Sequence, residues 1–281
     1  MKSIQLTEIE ASKLEELISS RKIIIQKSKS QYEKIRIKEG NLNFILYNTL
    51  KLSFEESDDM LKLINEISAK EMFYEYIVGS DETGKGEWYG PLVVVALALK
   101  SNQINEYRLW GATDSKSLPI SKIYDLAMKV IAERGVLFHK LILRPKKYND
   151  LYLKFMGENK NLNDLMAWAH SAVIKDVLSE INYGGIRLKI IIDKFDYKKT
   201  EYRLRDLKSS NLKIIQKSKG ESEIPVALAS IIAKYYFEQE VKFLNQQYNV
   251  DLKRMSPQFL ENLPKKMVYN IAKIHFKNVP F

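Results

Sequence analysis

A chain of 281 residues, 45% hydrophobic and 28% charged, has the composition of a globular protein and the length for one large domain or two smaller ones. It contains no cysteine, which excludes disulfides, thiol catalysis and zinc–thiolate sites, and no run of apolar residues reaches the length of a membrane span or signal sequence. The formal net charge of +10 favours a polyanionic partner, nucleic acid or an anionic surface, and the expected location is cytoplasmic.

The first seventy residues predict a small α+β unit. Thr7 can cap a helix over residues 8–18, in which Ile9, Leu14, Leu17 and Ile18 share a side. Strands are expected over residues 22–26 and 32–38, the second alternating Tyr32, Lys34, Arg36 and Lys38 against Glu33, Ile35 and Ile37. Gly40-Asn41 reads as a hairpin turn into the strand 42–47, followed by a strand over 51–54 and an amphipathic helix over 58–67. A domain boundary is expected near residues 69–71, giving domains over residues 1–70 and 71–281.

After that boundary buried strands alternate with helices. Residues 74–78 lead into a glycine-rich turn, and residues 91–99 form a nearly unbroken apolar run of the kind covered on both faces of a sheet. A helix over 120–133 and a strand over 136–143 follow. Asn161 can cap a long helix over 162–181, within which Leu165, Trp168 and Ala169 are expected in the core and His170 as a partly buried helix histidine. The strand 188–192 ends at Asp193, and Ser222 and Pro225 open a helix over 226–243. The fold class is mixed α/β.

Charge is unevenly spread. Residues 1–72 hold 12 basic and 12 acidic side chains, so the whole excess lies beyond them. Lys194 to Lys219 alone carries nine basic residues against three acidic ones, a density suited to a phosphate backbone.

Acidic residues stand at strand ends within this basic part. Asp81 and Glu82 are expected just after a strand, Asp193 at the end of another, and Glu221 just before a helix. Ligand sites of α/β sheets gather at such ends, and converging carboxylates suit Mg²⁺ or Mn²⁺. Two such ions can align a water and stabilise a leaving oxygen in phosphodiester hydrolysis. For each acid, a solvated loop position or a helix cap is the plainer alternative. Gly79-x-x-x-x-Gly84-Lys85 also matches seven positions of a nucleotide-binding P-loop. The eighth is Gly86 rather than Ser or Thr, and Asp81 and Glu82 within the loop would repel a triphosphate.

The string Gly79-Ser80-Asp81-Glu82-Thr83-Gly84-Lys85-Gly86-Glu87-Trp88-Tyr89-Gly90-Pro91 resembles the opening motif of the type 2 ribonucleases H. Asp114-Ser115-Lys116-Ser117-Leu118, Ile191-Ile192-Asp193-Lys194-Phe195, Lys219-Gly220-Glu221-Ser222 and residues 227–234 agree in order and spacing. Residues 163–170, the closing Ala272-Lys273-Ile274-His275-Phe276-Lys277-Asn278 and Glu221 as the fourth acid are similar to the ribonuclease HIII branch. Lys85 stands where that branch often has Thr and the HII branch usually has Arg.

The resemblance implies a ribonuclease H-like catalytic domain behind a small TATA-binding-protein-like substrate-binding domain. It implies hydrolysis of the RNA strand of RNA/DNA hybrids, giving 5′-phosphate and 3′-hydroxyl ends with two Mg²⁺ or Mn²⁺ ions. Carried over by residue, Asp81, Glu82, Asp193 and Glu221 are the catalytic and metal-binding set, with Asp81 assigned to bridge the ions. Gly84, Lys85, Gly86, Ser115 and Lys116 are the implied substrate contacts. Tyr32, Lys34, Arg36 and Lys38 are a candidate grip in the first domain, and His275 is expected to pack the C-terminal segment. The implied partner is an RNA/DNA hybrid; no membrane partner is expected, and the protein is expected to be a monomer. A catalytically idle nucleic-acid-binding protein is the alternative from another class.

Overall fold

Thr7, Ser57 and Asn161 cap helices in the computed structural model, which describes residues 1–68, 73–111, 118–181, 183–193, 196–207, 211–218 and 220–281, without the side chains of Tyr197 and Glu221. The chain divides into two units, residues 1–75 with 101–111 and residues 76–100 with 112–281. The boundary expected near residues 69–71 falls outside the described residues. The segment 101–111, which a single cut assigned to the second part, belongs to the first unit.

The first unit contains β1 (Lys2–Gln5), α1 (Glu8–Ser20), β2 (Glu33–Glu39), β3 (Leu42–Tyr47), β4 (Lys51–Phe54), α2 (Asp58–Ile67) and α3 (Ile104–Leu109). Its strands form an antiparallel sheet in the order β1-β4-β3-β2. Leu14 and Ile18 of α1 and Met60, Leu63 and Ile64 of α2 bury against Ile37, Phe44, Leu46, Leu52 and Phe54. The Thr7 hydroxyl accepts from Glu10 N and the Glu10 carboxylate accepts from Thr7 N at 2.8 Å, a reciprocal capping box.

In this unit one strand was not expected and one expected strand needs correction. Strand β1 is too short and too polar to stand out in the sequence. The expected strand over residues 22–26 does not form beyond an isolated bridge between Ile25 and Ile37. Lys22 takes a left-handed φ of 54°, turning the chain away, and leaves Ile24 and Ile25 exposed.

Glu10 also holds α3. The Arg108 guanidinium donates to both its oxygens, at 2.8 and 3.3 Å. Burial pushes the Glu10 carboxyl up, but hydrogen bonds and charge from Arg108, with Thr7 N and Ser68, reverse this and hold it below the usual value.

The second unit contains β5 (Tyr76–Thr83), β6 (Leu92–Lys100), α4 (Ile120–Ala132), β7 (Leu137–Leu143), α5 (Pro145–Gly157), α6 (Leu162–Glu180), β8 (Leu188–Asp193), α7 (Tyr197–Leu204), β9 (Leu212–Lys217), α8 (Ile224–Tyr248) and α9 (Lys265–Ile271). Its five-stranded sheet has the order β7-β6-β5-β8-β9. The β7, β6 and β5 pairings are antiparallel, whereas β5, β8 and β9 run parallel. Sequence reading did not separate α3, α5, α7, β9 and α9, which are short or lack a clean apolar period.

Helix α6 covers one face of the sheet. Leu165, Met166, Ala169, Val173 and Val177 pack against Val78, Leu92, Val94, Ala96 and Ala98. Helix α8 covers the opposite face of β5 and β6, and α4 packs on α8. The close approach of α8 depends on Gly79. A Cβ there would stand 2.2 Å from Pro225 C and 2.3 Å from Val226 N, which are backbone atoms and cannot swing aside.

Gly79→Ala is expected to destabilise the second unit by about 2–3 kcal/mol, the scale of overpacking a well-filled core. Urea unfolding of the full chain measures it, and an unchanged midpoint would show that α8 can retreat from β5 without cost.

Candidate active site

Strand β5 runs further than the sequence suggested. Its pairing with β6 sets Asp81 opposite Val95, Glu82 opposite Val94 and Thr83 opposite Val93. Asp81 and Glu82 therefore lie inside the strand rather than in the turn after it, because an apolar partner strand extends the ladder through them.

Strand alternation then separates the two acids. Gly79 and Asp81 face α8, where the Ser230 hydroxyl hydrogen-bonds the Asp81 carboxylate. Ser80 and Glu82 face α6, where both meet His170. Ser80 Oγ donates to Val95 O at 2.9 Å and lies 2.8 Å from His170 Nδ1, while His170 Nε2 lies 3.1 Å from Glu82 Oε2. Donation from Nε2 tethers Glu82, donation from Nδ1 tethers Ser80, and a protonated ring does both. His170 is fully buried. Its position in the middle of a helix gave no sign of these partners.

The β5–β8 register brings in Asp193. Gly79 pairs with Ile191 and Ser80 with Ile192, so Asp81 and Asp193 occupy the next places on neighbouring parallel strands. Asp193 Oδ1 accepts from Gly220 N at 3.0 Å, drawing the 3-10 turn Gly220–Ser222 against the end of β8. The backbone of Glu221 is thereby placed beside Asp193, although its side chain lies outside the described residues. Among the described side chains, no three acidic or histidine residues close into one metal-sized cluster.

Burial and the neighbouring Glu82 charge push the Asp81 carboxyl up to about 7, against smaller opposing effects from Ser230, Glu82 N and His170. Among the described residues the charge of this carboxylate is only partly compensated.

The implied substrate residues differ in their surroundings. Gly84 has φ 96°, and a Cβ would stand 2.1 Å from Pro91 O, so glycine is required to close the turn. Gly86 has nothing within 4 Å of where a Cβ would be, leaving its backbone open to a ligand. Lys85 Nζ lies 3.7 Å from Glu82 Oε1. Ser115 and Lys116 lie outside the described residues.

Two further residues shape this loop and were not singled out from sequence. Lys273 and Asn149 are fully buried polar side chains. His275 packs as expected, with Nδ1 3.2 Å from the Tyr148 hydroxyl and its ring against Tyr152 and Phe276. Burial, then the Lys273 charge, lowers its pKa to about 4. In the first unit, Arg36 is engaged by Glu33 at 2.5 Å and Lys34 by Glu15 at 2.6 Å, so the basic stripe is partly neutralised within its own unit.

Three antiparallel strands leading into two parallel ones, with acids at the ends of the central parallel pair, define a ribonuclease H-like fold. Solved structures agree. Bst-RNase HIII in complex with Mn²⁺ superposes with a TM-score of 0.64 at 20% identity, over 99% of this chain and 96% of that one. RNase H3 of Aquifex aeolicus does so at 0.56 and 21%, over 98% and 100%. In sequence, the ribonuclease HIII of Chlamydia pneumoniae is 35% identical over 213 residues, 71% of this chain and 67% of the relative. That of Protochlamydia amoebophila is 29% identical over 210 residues, 72% and 66% of the respective chains. The matched stretch thus spans about two thirds of these relatives' own length. The Ribonuclease HII family model matches residues 78–279, and the chain belongs to that family, with its curated relatives on the HIII side.

Because Asp81 ionises in the folded state near 7 and in the unfolded chain near 3.8, the folded protein holds the extra proton between those values. Stability contributed by this group is present below the unfolded value and lost as pH rises towards 7. Asp81→Asn removes the penalty, so without divalent metal the variant is expected to melt above the parent at pH 7.5. The difference should shrink as pH falls towards 4. Thermal melts in EDTA across that range check this, and a pH-independent difference would mean Asp81 is not the group responsible.

Proposed function

We propose that the chain is a metal-dependent endoribonuclease that hydrolyses the RNA strand of RNA/DNA hybrids, leaving 5′-phosphate and 3′-hydroxyl ends. The observation that carries the reading is the placement of Asp81, beside Glu82 on its own strand and level with Asp193 on the next, with burial raising its pKa in support. Gathering carboxylates on neighbouring strands is costly unless a cation offsets their charge, and oxygen donors alone favour Mg²⁺ or Mn²⁺. Bst-RNase HIII, similar in fold, has been seen with Mn²⁺.

Asp81, Glu82, Asp193 and Glu221 are the residues that would hold two such ions. When bound, the metals would supply an activated water and charge stabilisation at the scissile phosphate. The chain's own contributions are distinct. Ser230 and His170 hold Asp81 and Glu82 on opposite faces of β5, and Gly220 N orients Asp193. Gly86 offers open backbone for the 2′-hydroxyls that distinguish a hybrid from duplex DNA, with Lys85 at hand for phosphate. Ser115 and Lys116 complete the proposed contacts. The first unit is proposed as the TATA-binding-protein-like substrate-binding part.

Incubation with an end-labelled RNA/DNA hybrid and Mg²⁺ or Mn²⁺ should cleave the RNA strand only. Binding without cleavage under either metal would favour the idle binding protein instead. Asp193→Asn should lower cleavage by at least roughly a thousandfold, as expected for loss of a metal ligand, with hybrid affinity equal or higher because a repelling charge is gone. Cleavage by that variant at the parental rate would remove Asp193 from the metal set.

A further inference from the structure

The segment following α9 runs antiparallel to the loop that joins β5 to β6. Gly90 N donates to Ile271 O at 3.1 Å, Lys273 N donates to Trp88 O at 2.7 Å, and Tyr89 bridges to Ala272. The Lys273 side chain adds two bonds, Nζ donating to Glu87 O at 2.9 Å and to Tyr89 O at 2.8 Å. Glu87 O, Trp88 O, Tyr89 O and Gly90 N are thus all bonded to Ile271 or Lys273. Asn149 of α5 holds the tail from behind, donating to Tyr269 O and Ala272 O at 3.0 and 2.9 Å and accepting from Ile274 N at 3.1 Å.

Lys273 is fully buried, and among the described residues no carboxylate reaches it at ion-pair distance. Nζ meets the two carbonyls and lies 5.8 Å from the Tyr148 ring, with the Glu87 carboxylate and the His275 ring near enough to interact through charge but outside bonding distance. A buried amine without an acid partner costs more than an apolar side chain in the same place, so packing alone does not account for it. Burial lowers its pKa to about 7, and even the neutral amine keeps two N–H donors, one for each carbonyl.

The geometry points to Lys273 as a positioning residue for substrate: by fixing the carbonyls of Glu87 and Tyr89, it sets how the Gly84–Gly86 turn of the same loop meets nucleic acid. The inference rests on reading that turn as a substrate contact. Lys273 itself touches no reacting group. It holds the far end of a loop whose near end is closed by Gly84 against Pro91 O. A loop secured at both ends presents its open residue, Gly86, in one orientation and pays little ordering entropy on binding.

The test is steady-state cleavage of an RNA/DNA hybrid by the full chain, comparing the parent with K273M and G86A. K273M keeps an unbranched side chain one atom shorter and removes the donors. The expected result is a KM raised roughly tenfold with kcat within about twofold, the signature of weakened binding rather than altered chemistry. G86A should raise KM independently, because a methyl group would block the open backbone. A parental KM for K273M beside a raised KM for G86A would overturn the positioning role and leave the turn as a contact. Parental KM values for both would overturn the turn reading and the inference together. A fall in kcat alone for K273M would also overturn the proposal. If K273M does not accumulate folded, K273L, which also removes the donors, is judged by the same KM and kcat criteria. Failure of both to fold would mark Lys273 as purely structural and overturn it.

Discussion

Successive carboxylates on one buried strand are the constraint around which the second unit is arranged. Asp81 and Glu82 cannot both lie comfortably within a sheet covered on both faces, because burial and mutual repulsion disfavour their charges. Strand geometry offers partial relief by sending them to opposite faces, where each finds a different helix. Ser230 on α8 meets Asp81, and His170 on α6 meets Glu82. The remaining imbalance at Asp81 makes the place receptive to cations. The same β5 backbone that carries the acids also needs Gly79, since α8 can bring Ser230 close only if no side chain stands between.

A second arrangement controls the loop that leaves this strand. Most loops have free backbone groups facing water, but the carbonyls from Glu87 to Tyr89 are bonded to a segment almost two hundred positions later in the chain. Asn149 satisfies the other side of that segment, so helix α5, the C-terminal tail and the glycine-rich loop form one hydrogen-bonded stack. The end of the loop away from the acids is thereby fixed without a side chain being placed among them.

The charge excess acquires a place in this picture. All of it lies beyond residue 72, in the part of the chain that also contains the acids. On the proposed reading, cations that hold phosphates around a carboxylate site are complementary to it, because they would attract the backbone that the acids by themselves repel. The first unit differs: Arg36 and Lys34, prominent in the sequence as a basic stripe, are engaged by Glu33 and Glu15. A row of cations in a strand does not reveal which acids from the adjacent turn or helix will answer them.

By itself the sequence determined the strongly periodic elements, the caps at Thr7 and Asn161, the mixed α/β class, and the candidate acids Asp81, Glu82, Asp193 and Glu221. These are local signals, in which spacing, capping chemistry and apolar runs act within a few residues. It also suggested a strand over residues 22–26 that does not form, because the left-handed turn at Lys22 outweighs β propensity there. Only the tertiary structure decided that β5 continues through Asp81 and Glu82, since that extension depends on its pairing with β6. It alone set Asp81 level with Asp193, joined His170 to Ser80 and Glu82, and turned Lys273 onto a loop distant in sequence. Such contacts depend on strand register and helix packing, which arise from the whole core and leave no mark on the spacing of neighbouring residues.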